Sequence, residues 1–157
     1  MADPFSITAS ILALVSTLGK TSIAINNFAK TCREARSDLL EVNQELSTLK
    51  HILDWLKDDT EREKHSAIPK SLTMQILPII SDCNRVLKKI DEVVQGHVGA
   101  LGSAKWALGG KKEISCLREA LGAHRGALNV TMETVSMCVD LVHLVVPIYF
   151  SPGLMRA

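Results

Sequence analysis

Residues 39–56, LLEVNQELSTLKHILDWL, decide the fold. Leu39, Val42, Leu46, Leu49, Leu53 and Leu56 follow one another in alternating steps of three and four residues. That is the seam of a helix packed lengthwise against other helices, in a bundle or short coiled coil. Just upstream, Thr31-Cys32-Arg33-Glu34 has the pattern of a capping box and predicts the start of this helix. The charged stretch Lys57–His65 predicts a solvated loop at its end.

Working towards the N-terminus, Asp3-Pro4 predicts another helix start, Asp as the cap and Pro in the first helical position. Ile7, Ile11, Leu14, Leu18 and Ile25 keep helical spacing, Leu12, Val15 and Ile23 broaden the stripe, and the helix should run to about Lys30. From Pro4 to Gly19 no side chain is charged. A surface helix normally carries charge outward. Such a segment must be enclosed by the other helices, cover a partner, or enter a membrane. Its small and hydroxylated residues Ala9, Ser10, Ala13, Ser16 and Thr17 also favour close helix–helix approach. The segment lacks the basic start and the cleavage pattern of a secretory signal, and its hydroxyls interrupt the apolar run that a confident membrane span needs.

Towards the C-terminus, Leu72, Ile76, Ile79, Cys83, Leu87, Ile90 and Val94 predict a third helix from about Pro69 or Ser71, kinked at Pro78. Gly96, Gly99 and Gly102 mark a flexible connection. A last helical segment starts near Ser103 and contains Trp106 and the pair Gly109-Gly110. It continues through Ile114, Leu117, Leu121, Leu128, Met132, Val135, Val139 and Val142, until Pro147 stops it. The reading is therefore all-α: a bundle of four main helices over residues 1–146, with an apolar N-terminal helix and a long C-terminal one. Residues 147–157 would be a tail or the start of a linker.

Composition agrees with helix-on-helix packing. Hydrophobic residues make up 46% of the chain and aromatics only 4%, which suits helices better than a sheet. A net charge of +1 gives no global field for nucleic acid. Charge is uneven, however: residues 31–65 carry nine acids against six bases, and residues 66–157 carry ten bases against seven acids. Juxtaposing the two would give weak complementarity.

No catalytic, cofactor or metal motif emerges. Gly19-Lys20-Thr21 resembles the end of a phosphate-binding loop, but Leu14 stands where its first glycine should be. The five histidines lack metal-ligand spacing. Cys32, Cys83, Cys116 and Cys138 are expected to be reduced core residues of a cytosolic protein. Lys88-Lys89 and Lys111-Lys112 are either solvated helix ends or a patch for anionic lipid headgroups. Trp106, between them, either seals the core or sits at a membrane interface.

The opening Met1-Ala2-Asp3-Pro4-Phe5-Ser6-Ile7, the acidic second helix ending in Leu53-Asp54-Trp55-Leu56, and Lys105-Trp106-Ala107-Leu108-Gly109-Gly110-Lys111-Lys112-Glu113-Ile114 followed by Leu117, Leu121, Leu128 and Asn129 carry a resemblance. Together they resemble the HeLo-like N-terminal domain of fungal STAND (NLR-like) proteins, a family also described as the N-terminal domain of an azaphilone pigment-cluster protein. The resemblance implies a non-enzymatic, cytoplasmic bundle preceding a nucleotide-binding or amyloid-motif module, with no cofactor. Related HeLo domains and the similar bundle of the mixed-lineage kinase-like pseudokinase act in programmed cell death. They oligomerise and target the plasma membrane through a released N-terminal helix. On that pattern Phe5, Ile7, Ile11, Leu12, Leu14, Val15 and Leu18 are the insertion candidates. The absence of an acid between Pro4 and Gly19 favours anchoring over ion conduction. The alternative is an interaction or regulatory module without membrane activity.

Overall fold

The computed structural model describes residues 4–61, 70–99 and 101–149. Helix α1 spans Pro4–Thr31, α2 Arg36–Glu61 and α3 Lys70–Gly96. A short helix α4, Gly102–Lys105, passes through a π-helical turn, Trp106–Gly110, into α5, Lys111–Tyr149. Among the described residues there is no strand, so the all-α bundle of four main helices is what the chain forms.

The four long helices form a ring. α1 packs against α2 and α3, and α5 packs against the same two. α1 and α5 therefore lie across the bundle from each other. The α1–α2 turn and the α3–α4 connection are at one end, where Phe28, near the end of α1, meets Trp106. The core collects the expected seam residues. Ile7, Ile11, Leu14, Leu18 and Ile25 of α1, all six seam residues of α2, and Ile76, Cys83, Leu87, Ile90 and Val94 of α3 are buried. From α5 come Ile114, Leu121, Leu128 and Val135, with Leu117 and Met132 half-buried against them.

Several boundaries differ from expectation. Thr31 does not cap α2. It closes α1, its hydroxyl donating back to the Phe28 carbonyl at 2.9 Å, and α2 begins only at Arg36. The local back-bond wins because Thr31 still belongs to a regular turn. The charged stretch after Leu56 does not end α2 at once: Lys57–Glu61 contains no glycine or proline and stays helical, while residues 62–65 lie outside the described residues. α3 stays helical on both sides of Pro78, which is exposed. Ile79 is half-buried, and Ile80 takes the core position. Pro147 does not stop α5, which ends at Tyr149. So close to the helix end it forfeits a single backbone bond.

Cys32 and Cys83 are buried free thiols, but Cys116 is exposed. It stands two positions from Ile114, about 200° around the helix, and so faces away from the core. The side chain of Cys138 lies outside the described residues. Burial pushes the Cys83 thiol up to about 12, with the nearby Asp82 charge adding to the effect.

Candidate functional site

Two features carry the chemistry that could matter: the outward side of α1 and the end of the bundle built around Trp106.

α1 is a wall of the ring, not its enclosed centre. Leu12 is 48% exposed and Ile23 63% exposed, so they do not broaden the buried stripe as expected. Ala9, Ala13, Ser16 and Gly19 are exposed with them, giving an outward side without charge until Lys20. The insertion candidates therefore divide. Ile7, Ile11, Leu14 and Leu18 are core residues, Val15 is half-buried, and Leu12 faces out; the side chain of Phe5 lies outside the described residues. By length and composition, the 25-residue Ile7–Thr31, whose most apolar 18-residue window has a mean hydropathy of 1.4, suffices to cross a membrane. Core helices can pass that test too, but they are mostly buried, whereas 28% of this helix's most apolar window is. Beside it, α1 and α2 enclose a groove of about 530 Å³ lined by Val15, Leu18, Gly19, Ile23 and Leu46 among others.

The second feature is built around Trp106. Its indole is 1% exposed. Phe28 of α1 packs against it with ring centroids 5.4 Å apart, and the His97 ring meets it edge-on at 5.6 Å. Its Nε1–H points at Oδ2 of Asp38 on α2 at 3.4 Å, a long hydrogen bond. His97 is itself held, its Nδ1 lying 2.6 Å from the Val93 carbonyl. One side chain thus touches groups from α1, α2 and the end of α3. Trp106 seals the core.

The glycines around it are there for space. A Cβ on Gly110 would lie 2.8 Å from the Trp106 ring and 2.9 Å from Nε2 of His97. A Cβ on Gly102 would lie 2.3 Å from the His97 carbonyl oxygen. Gly99 takes a φ of 127°, open only to glycine in practice. Gly109, in contrast, meets nothing. The buried positions Gly102, Trp106, Gly110 and Ile114 recur every four residues. That exceeds the 3.6-residue α-period, and the π turn, with Lys111 N–H bonding to the Trp106 carbonyl, absorbs the excess.

The four candidate headgroup lysines are exposed but do not converge. Lys111 turns towards α2 and pairs with Asp38 at 3.6 Å. Lys89 lines a groove with Glu92 and Glu113 between α3 and α5. Lys111 begins a ladder that realises the uneven charge of the sequence: Glu41 pairs with Arg118, and Glu45 with Arg125 at 2.7 Å. The pairs advance together along both helices, so α2 and α5 run parallel. At the α1–α2 turn, the Glu34 carboxylate is held below its usual range by its own backbone N–H and then by the Ser103 hydroxyl. Among the described residues no cluster of His, Cys, Asp and Glu side chains is arranged to hold a metal ion.

A four-helix ring closed at one end by a buried tryptophan, with a helix uncharged up to Gly19 in its wall, defines an all-α bundle domain. The chain belongs to the family described as pigment biosynthesis cluster protein PigL, N-terminal, which it matches over residues 2–146. No curated protein and no solved structure matches it.

Proposed function

We propose that this domain is a non-enzymatic cell-death signalling module of the fungal NLR-like type. In this reading it rests as a bundle in the cytoplasm and acts by self-association and targeting to the plasma membrane through α1. A nucleotide-binding or amyloid-motif module downstream would supply the trigger. The observation that carries the reading is α1 itself: a largely apolar stretch of 25 residues standing in the wall of the ring, its outward side uncharged up to Gly19. Its core residues would have to leave the bundle before entering a bilayer. The ion pairs among the described residues run within helices or between α2 and α5, and none holds α1.

The test is dye leakage from vesicles after forced oligomerisation. Aspartates at Leu14 or Leu18 would bury a charge and report on folding. The informative variant is Leu12→Asp with Ser16→Asp, both on the outward side. Leakage should fall at least about tenfold, since each central acid costs roughly 2.5–3.5 kcal/mol in a membrane helix. Leakage equal to wild type would sink insertion through α1. The groove between α1 and α2 favours the second reading, a module that receives a partner's apolar helix; it predicts a soluble complex and no vesicle binding.

A further inference from the structure

We infer that the Trp106 end of the bundle is a docking surface for an anionic lipid bilayer, at the opposite end of the molecule from the start of α1. The inference rests on the membrane reading above and adds a second contact to it.

The fold brings two turns together at this end. The Cys32 thiol of the α1–α2 turn lies 3.7 Å from the Ser103 hydroxyl of α4, and Phe28 meets Trp106. From Val98 to Lys112 the chain contains Lys105, Lys111 and Lys112 and no acid. The α1–α2 turn adds exposed Lys30, Arg33 and Arg36 against Glu34. Asp38 is engaged by Lys111 and Trp106, and Glu113, next to Lys112, turns to the α3–α5 groove with Lys89. The end is therefore basic in balance.

It is also tipped with apolar side chains. Val98 is 62% exposed, Leu101 68% and Leu108 89%. Leu101, Lys105, Leu108 and Lys112 are all exposed and follow helical spacing, interleaved with the buried Gly102, Trp106 and Gly110. The same packing that turns Trp106 inward leaves Leu108 outward. A side chain so exposed is a prong, and among the described residues the grooves at α1–α2, α2–α5 and α3–α5 are not lined by Val98, Leu101 or Leu108. A protein partner would need a pocket for each prong. A bilayer interface accepts protruding leucines wherever they fall, with lysines at headgroup level. Lipid is therefore the occupant these residues fit.

The experiment is co-sedimentation of the full chain with phosphatidylcholine vesicles, with and without phosphatidylserine, at low and high salt. Wild type should bind the anionic vesicles and release at high salt. Lys105→Glu with Lys112→Glu should weaken binding by about thirtyfold or more. Leu101→Ser with Leu108→Ser should weaken it at least about tenfold. All four positions are exposed, and circular dichroism should show an intact bundle. Leu12→Asp with Ser16→Asp should sediment like wild type while losing leakage. If wild type binds no vesicle while forced oligomerisation still causes leakage, only this inference falls; if neither occurs, the membrane reading falls with it. If the α1 variant loses sedimentation while the Leu101 and Leu108 variant keeps it, only this inference falls. Saturable binding to polyglutamate, without vesicle binding, would reassign the surface to an acidic protein and overturn it.

Discussion

Phe28 and Trp106 face each other with ring centroids 5.4 Å apart and planes tilted by 52°, tying the end of α1 to the head of the column that continues as α5. α1 otherwise packs on α2 and α3. This aromatic pair is therefore a direct link across the ring.

Trp106→Ala should destabilise the domain by about 3–5 kcal/mol, the range for emptying a large buried aromatic site. Urea unfolding followed by circular dichroism checks it. Trp55, which is 44% exposed and outside the core, provides the control, and its replacement by alanine should shift the midpoint much less. Similar losses at both positions would contradict the sealing role of Trp106.

The glycines of the motif should separate by available space. Gly110→Ala and Gly102→Ala force the Trp106 and His97 groups to move and should lower the melting temperature. Gly102→Ala should be the worse, because its obstacle is backbone. Gly19→Ala meets nothing within 4 Å and should stabilise α1 by about 0.5–1 kcal/mol. Calorimetry on the three variants checks the order.

The ladder between α2 and α5 should show itself through salt. Arg125→Glu places two acids together and should cost about 1 kcal/mol beyond the lost pair at low ionic strength, with the cost shrinking as salt is added. Glu45→Arg in the same chain should restore most of it. Thermal unfolding at two salt concentrations reads both effects.

Thiol chemistry should follow burial. With Cys138 replaced by serine, a thiol reagent at pH 8 should label Cys116 quickly, and Cys32 and Cys83 only after unfolding. The folded chain keeps the Cys83 proton up to about 12, whereas the unfolded chain releases it near the ordinary 9.0. The unfolded state then binds fewer protons, so stability should be unaffected below about pH 9 and fall as pH rises from there towards 12. Cys83→Ala should flatten that decline.

Much of the fold was legible because seam residues such as Leu46 and Leu53 obey one period and one solvent rule. The termini were less so, since caps and prolines compete with tertiary contacts: Thr31 bonded backwards and Pro147 sat where a helix can tolerate it. The outward side of α1 was misread because Leu12 and Ile23 are apolar, and hydrophobicity does not by itself say which way a side chain faces. The Trp106 end was named in the sequence but not understood. Its meaning depends on His97 and Asp38, which arrive from different helices, and on the space beside Gly102 and Gly110. The clustering of exposed Val98, Leu101 and Leu108 was missed because nothing in the periodicity distinguished them from core leucines.

The ring also sets an order of assembly during synthesis. α1 and α2 are joined by a short turn and can pair as soon as both have left the ribosome. The side of α1 that α3 covers must wait until the chain has been made to Gly96, and the ion-paired α2–α5 seam waits longer still. At ordinary elongation rates that interval is on the order of seconds. The most apolar helix of the domain is thus the first made yet must wait for α3 before its second packed side is covered, and every newly synthesised copy passes through a stage in which α1 is available to chaperones or membranes before its own bundle claims it.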